Sequence, residues 1–311
     1  MKAERLERFV PFLMVLPSII LIAIFVYGFI GWTGYVSLSN WNTFVPDLSF
    51  AGFKNYIYMF KDFRFQSDLR NTLFFSVLFI GSCLVIGLAL AVLVDQKLRA
   101  ASFFRNVYLF PMALSFVVTG VVWQWILNPS TGVNLLLKAL GMKNTPLWYV
   151  STRIIPAISV GRIKFGLPVA ILAVIIAGVW QQSGFAMATY LAGLQAIPDE
   201  VREAASVDGA TEWQKFRYVI LPMLRPMTIT ITIMLAHVSL KTFDLVYAMT
   251  GPGAGYVTDV PGVYMFETSF RGNHFANGAV IAMVMLICSA IVTVPYLLGR
   301  GRRDLGDVDI N

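Results

Sequence analysis

Six long apolar stretches restrict this 311-residue chain to one physical setting. They fall at about 10–38, 71–94, 107–127, 167–194, 227–250 and 276–299, and each is rich in Leu, Ile, Val and Phe. Crossing the hydrocarbon of a bilayer as a helix takes about 20 apolar residues, which these stretches reach or approach. Hydrophobic residues make up 57% of the chain and charged residues only 13%, too few charges to wet a soluble globule of this size. Lipid must cover much of the surface instead. Backbone polar groups find no partner in lipid, so only helices and closed barrels span it. A barrel would read as alternating strands of roughly ten residues, and no such alternation is seen. The expectation is an all-α integral membrane protein with six spans, forming one domain over 1–311 and surrounded by membrane lipid.

The formal net charge of +7 would suggest nucleic acid in a soluble protein. Here it reads as topology, because basic residues hold loops on the cytoplasmic side. Lys2, Arg5 and Arg8 precede the first stretch, and Lys97, Arg99 and Arg105 sit between the second and third. Arg202, Lys215, Arg217 and Arg225 sit between the fourth and fifth, and Arg300, Arg302 and Arg303 follow the sixth. An even number of spans then places both termini in the cytoplasm. The first apolar run outlasts the core of a signal peptide, with no A-x-A site after it, and is read as a retained helix. On the opposite side, residues 135–140 of the loop 128–166 read as a short surface helix, and Arg162 and Lys164 as headgroup anchors. Cys83 and Cys288 lie within spans and read as small apolar packing residues rather than a disulfide.

Several chemistries are missing from the sequence. There is no G-x-x-x-x-G-K-[ST] stretch to cradle a nucleotide's phosphates. The two histidines, His237 and His274, are far apart, and no Cys/His metal spacing or catalytic triad occurs. The expectation is a chain that is not an enzyme, carries no metal or cofactor, and draws energy from another subunit or from an ion gradient.

The informative segment is the polar stretch 197–226, IPDEVREAASVDGATEWQKFRYVILPMLRP. Pro198 and Asp199 suit a helix start, since Pro fits the first turn and carboxylates favour the positive end of the helix dipole. Asp208-Gly209 breaks that helix, because glycine reaches positive φ at low cost. Residues 211–219 read as a second short helix, ended by Leu221-Pro222. Two short helices in an L, each fixed to a membrane helix, make an element able to transmit force from a soluble partner.

Glu203-Ala204-Ala205, then Gly209, then Val219-Ile220-Leu221-Pro222 resembles the EAA signature of ABC importer permeases, with Val219 where that family usually has Ile. Asn40-Trp41, Gly52–Tyr56, Pro111–Phe116, and Phe243–Tyr247 leading to Thr250-Gly251-Pro252-Gly253 resemble, in order, further segments of the carbohydrate-uptake members. The resemblance implies the type I importer permease fold in a prokaryotic cytoplasmic (inner) membrane. It implies that Glu203, Ala204, Ala205, Asp208, Gly209, Ala210, Leu221 and Pro222 dock an ATPase subunit. It also implies as partners a second homologous permease, a dimer of ATP-binding subunits holding ATP and Mg, and an extracytoplasmic sugar-binding protein.

Polar residues inside spans are costly in lipid and tend to face a cavity or another helix. By position in the maltose-type members, the resemblance puts the substrate path at Gln181, Gln182, Phe185, Ser239 and Thr242, with packing by Ser, Thr and Gln as the alternative. Residues 111–116 look closest to glucose/mannose-type permeases. Lys241 and Asp244 are three apart and read as a pair on one helix face; with His237 they read as structural. Two other functions remain open at this point. One is a glycerol-3-phosphate importer, with Lys241 as the fixed cation. The other is an ion-coupled carrier, which would show internal repeats and broken helices.

Overall fold

A computed structural model describes residues 2–96, 101–161 and 163–306. The basic residues Lys97, Arg99 and Arg162 lie outside the described residues, as do the side chains of Lys2, Arg5, Arg8, Arg300, Arg302 and Arg303. Among the described residues, four helices are long and apolar enough to cross a membrane: Phe12–Ser37, Phe63–Asp95, Val169–Gln195 and Phe275–Tyr296. Two bent pairs bring the number to six, Ser102–Ala113 with Phe116–Ile126 at 101° and Glu212–Met223 with Arg225–Leu240 at 59°.

The third and fifth spans, expected at about 107–127 and 227–250, are broken in the structure. The third breaks at Leu114-Ser115, where Leu114 is extended and the Ser115 side chain accepts from Val118 N to start a new helix. The fifth helix stops at Leu240 rather than near 250, and a separate helix, Asp244–Met249, follows. Because Lys241 ends one helix and Asp244 begins the next, the expected pairing on one face is lost, and no ion pair joins them among the described residues.

The loop 128–166 also differs from expectation. It contains the short helix Val133–Ala139, but 154–168 form an antiparallel hairpin, Ile154–Val160 with Ile163–Pro168, turned at Gly161 (φ +60°). Asn134, buried in this loop, donates to the Pro129 and Pro146 carbonyls and accepts from the Trp148 indole.

The chain divides into two compact units. The first comprises 1–62 and 265–286. There Asn55 donates to the Ser37 and Ser39 carbonyls at 3.1 and 2.7 Å, and the Trp41 ring packs at a tilt on Phe275 while the Trp41 carbonyl accepts from Ala276 N. The Asn40-Trp41 and Gly52–Tyr56 motifs therefore serve as a polar clamp around the end of the helix Phe29–Ser37.

The second unit comprises 63–264 and 287–311. Its centre is the helix Val169–Gln195 packed along Phe63–Asp95, with Phe75, Phe79, Cys83 and Ala91 sharing one core with Ala173, Ala177 and Ala186. Small residues let the backbones approach. A Cβ on Gly87 would lie 2.5 Å from Ala186 Cβ, and one on Gly184 would lie 2.2 Å from the Tyr108 carbonyl oxygen. Such contacts drive helix association in lipid, where apolar side chains gain nothing by leaving apolar surroundings.

Each break leaves carbonyls that the bilayer cannot solvate, and glutamines satisfy two of them. Gln181 donates to Leu114 O at 2.7 Å, and Gln124 donates to Met249 O at 2.9 Å. At one end of Phe63–Asp95, Arg64 pairs with the buried Asp259 at 2.5 Å and lies over the rings of Tyr256 and Tyr264. Burial raises the Asp259 carboxyl above the ordinary carboxylate range, and the Arg64 guanidinium opposes that rise.

Candidate functional site

The polar segment after Gln195 folds as an elbow. Its first arm is the helix Asp199–Val207, with Asp199 and Glu200 in the first turn. It ends in a Schellman motif: Gly209 N donates to Ser206 O at 3.1 Å and Ala210 N to Ala205 O at 3.0 Å. That motif needs a left-handed residue, and Gly209 has φ +77° with open space where a Cβ would stand. Its glycine is required by backbone conformation rather than by a neighbour.

Thr211 opens the second arm with a capping box. Its hydroxyl accepts from Gln214 N while Gln214 Oε1 accepts from Thr211 N, satisfying two amides reciprocally. The arm continues through Glu212–Lys215, a π-helical turn Phe216–Ile220 and Leu221–Met223, then bends into Arg225–Leu240.

Three ties hold the elbow in shape. Lys215 Nζ donates to Ser206 Oγ at 3.1 Å, joining the arms. Ile197 and Leu224, at the two roots, are buried in the core. Arg202 donates to Asp95 Oδ2 at 3.3 and 3.4 Å and to the Leu194 carbonyl at 2.8 Å, linking the first arm to the ends of two long helices. The opposite surface is open. Glu203, Ala204, Asp208 and Pro222 are exposed, Ala205, Ala210 and Leu221 half-buried. Val207, Trp213 and Tyr218 are 87%, 67% and 70% exposed. Large apolar side chains left bare on a polar elbow mark a surface built for a partner.

The five path candidates do not converge on one cavity of this chain. Gln181 is buried and its amide nitrogen is committed to Leu114 O, while its oxygen is buried without a hydrogen bond among the described residues. Ser239 is buried and donates to Ala236 O, and Phe185 packs against the core. Gln182 is half-buried. Thr242 donates to Val238 O and, with Phe116, His237, Lys241, Phe243 and Asp244, lines a cleft of about 240 Å³. His237 Nδ1 lies 3.1 Å from Ser289 Oγ. Among the described residues no group of three or more His, Cys, Asp or Glu side chains is placed to hold a metal.

Sequence reasoning missed Arg202 as a tie, Gln124 and Gln181 as seals of broken helices, and the aromatic surface of Trp213 and Tyr218. The last had a readable signal, two large aromatics in an otherwise polar stretch. Asp95 and Arg202 are 107 residues apart, and nothing local announces the pair.

Helices long and apolar enough to cross a membrane, close small-residue crossings and an exposed elbow between two of them describe a polytopic helical membrane protein. The chain belongs to the family of binding-protein-dependent transport system inner membrane components, whose pattern matches residues 83–300. A probable ABC transporter permease protein of Pyrococcus horikoshii is 37% identical over 286 residues, covering 92% of this chain and 93% of that one. The xylose/arabinose import permease protein of Haloferax volcanii is 36% identical over 283 residues, covering 89% of this chain and 84% of that one. In the fold, a chain of a bacterial ABC transporter involved in the import of the acidic polysaccharide alginate superposes with a TM-score of 0.78 at 20% identity, covering 96% of this chain and 97% of that one.

Proposed function

We propose that this chain forms half of the wall of a sugar path through the inner membrane of a prokaryote, driven by ATP hydrolysis in a partner subunit that docks on the elbow. The observation that carries the proposal is the elbow itself. Two capped helices meet at a glycine that only a left-handed turn requires, and Val207, Trp213 and Tyr218 are exposed, as is Glu203. The ATP-binding pair, holding ATP and Mg, sits on this surface in the cytoplasm, where both termini also lie. A second, homologous permease completes the path, and an extracytoplasmic sugar-binding protein loads it. Movement of the elbow switches the path between its two openings, and this chain makes and breaks no covalent bond.

Sugar as cargo is supported by the likeness to the import permease of Haloferax volcanii and by the polar side chains Gln182, Ser239 and Thr242 within the expected fourth and fifth spans. A glucose- or mannose-type monosaccharide is the first cargo to test. Lys241 favours one competitor: it lines the Thr242 cleft without an ion-pair partner among the described residues, which suits a glycerol phosphate.

The test is isolation of the tagged chain in mild detergent, followed by uptake into vesicles holding the isolated complex with its binding protein. An ATPase that accompanies the wild type and is lost with Glu203→Lys or Gly209→Trp supports the elbow as its dock. A chain that purifies alone and transports unchanged with either substitution removes the proposal in favour of an ion-coupled carrier. Competition by glucose, xylose, maltose and glycerol-3-phosphate then identifies the cargo.

A further inference from the structure

The helix Phe63–Asp95 is tied by polar contacts at both ends, to segments far from it in sequence. At the Asp95 end, Arg202 bridges the Asp95 carboxylate and the Leu194 carbonyl, which is one of the acceptors that a helix leaves open in its last turn. At the other end, Asn71 donates to the carbonyls of Tyr256 and Asp259, both at 2.8 Å, and Arg64 pairs with Asp259. Arg70 donates to Lys164 O at 2.7 Å, and Phe74 packs on Phe165, so the hairpin is held as well. The helix has 33 residues, and at 1.5 Å per residue it reaches about 50 Å. Nothing in the covalent chain joins it to the elbow, whose own roots are the helices Val169–Gln195 and Arg225–Leu240.

From this we infer that Arg202 is a positioning residue that makes Phe63–Asp95 a strut, carrying displacement of the elbow to the segment 250–262 and the hairpin at the far end. The inference rests on the elbow being the ATPase dock. It adds a second route for the motion, alongside the helices to which the elbow is bonded. Two features fit a strut better than a local brace. Arg202 grips the strut's last residue and the elbow's own root helix together, so the three move as one. At the far end the contacts engage backbone carbonyls of 164, 256 and 259, so a shift of the helix moves main chain rather than single side chains. A partly buried charge pair that joins two elements is the kind of contact that fixes one arrangement against another.

The test uses the complete transporter in lipid vesicles, comparing wild type, Asp95→Asn, Asp95→Glu and Arg202→Lys. Two ratios are read: solute moved per ATP hydrolysed, and hydrogen exchange of 250–262 with and without ATP. Asp95→Asn is expected to keep ATP hydrolysis and the ATP response of 197–226, while solute per ATP and the response of 250–262 each fall about fivefold or more, the size of a modest coupling between sites. Asp95→Glu restores both, and Arg202→Lys, unable to bridge two acceptors in the same way, falls between. If Asp95→Asn leaves solute per ATP and the response of 250–262 at wild-type values, the strut is overturned. It is equally overturned if that variant lowers assembly and transport in parallel with an unchanged ratio, since that is a static brace. A wild-type chain that holds no ATPase and shows no ATP-driven uptake would instead sink the proposed function, and the control reports it separately.

Discussion

The helix Phe12–Ser37 and the helix Val169–Gln195 invert the rule of soluble proteins. The first is the more apolar of the two, yet none of its most apolar stretch is buried within the chain. The second is the least apolar of the four span-length helices, yet 61% of its corresponding stretch is buried. In water, burial follows hydrophobicity because water expels apolar surface. In lipid that force is absent between helices, and close packing and internal hydrogen bonds decide which helix goes inside. The central helix is accordingly rich in glycine and alanine, with Gly178, Gly184, Gly193 and several alanines on its contact faces. The helix Phe12–Ser37 leaves Leu13, Ile20, Ile24 and Phe25 exposed.

The comparison makes graded predictions. The largest effect belongs to Gly184→Leu, because even a methyl there would overlap the Tyr108 carbonyl oxygen. A loss of about 3 kcal/mol or more is expected, seen as a fall in melting temperature and loss of a single peak by size exclusion in detergent. A well-tolerated leucine would mean that the two helices are not in contact. Next comes Gln181→Leu, which strips the Leu114 carbonyl of its donor and should cost about 1–3 kcal/mol. Gln181→Glu should be no better, since it offers no amide. Gly209→Ala should cost about 1–2 kcal/mol, confined to the elbow because a left-handed turn is strained by a Cβ. It should appear as weaker retention of the ATPase rather than as a lower melting temperature of the isolated chain. The smallest effect is expected from Ile20→Val or Phe25→Leu in the exposed helix Phe12–Ser37, within about 0.5 kcal/mol in stability. If those substitutions cost as much as Gly184→Leu, the inversion fails. If they are silent in the isolated chain but weaken the pair of permeases, that face belongs to a second subunit rather than to lipid.

The helical, membrane-spanning class was legible because length and apolar content are local properties of the chain. The elbow was legible too, since Pro198, Asp208-Gly209 and Thr211 are punctuation whose meaning depends on a few neighbouring residues. The breaks were not. Pro111 sits in the 3-10 turn just before Leu114, but proline within a span does not by itself fix a bend of this size. The bend persists because Gln181, remote in sequence, supplies the missing donor. The hairpin was missed although Ile154, Ile155, Ile158, Val160 and Ile163 flank Gly161 as strand-forming residues around a turn.

The bend of 101° between Ser102–Ala113 and Phe116–Ile126 has a consequence for the host membrane. A straight span meets a thicker or thinner bilayer by changing its tilt. Two segments at nearly a right angle cannot both follow that tilt, and the second, with 11 residues, reaches only about 16 Å. Hydrophobic mismatch is therefore expected to fall on the four long helices rather than on the bent pair.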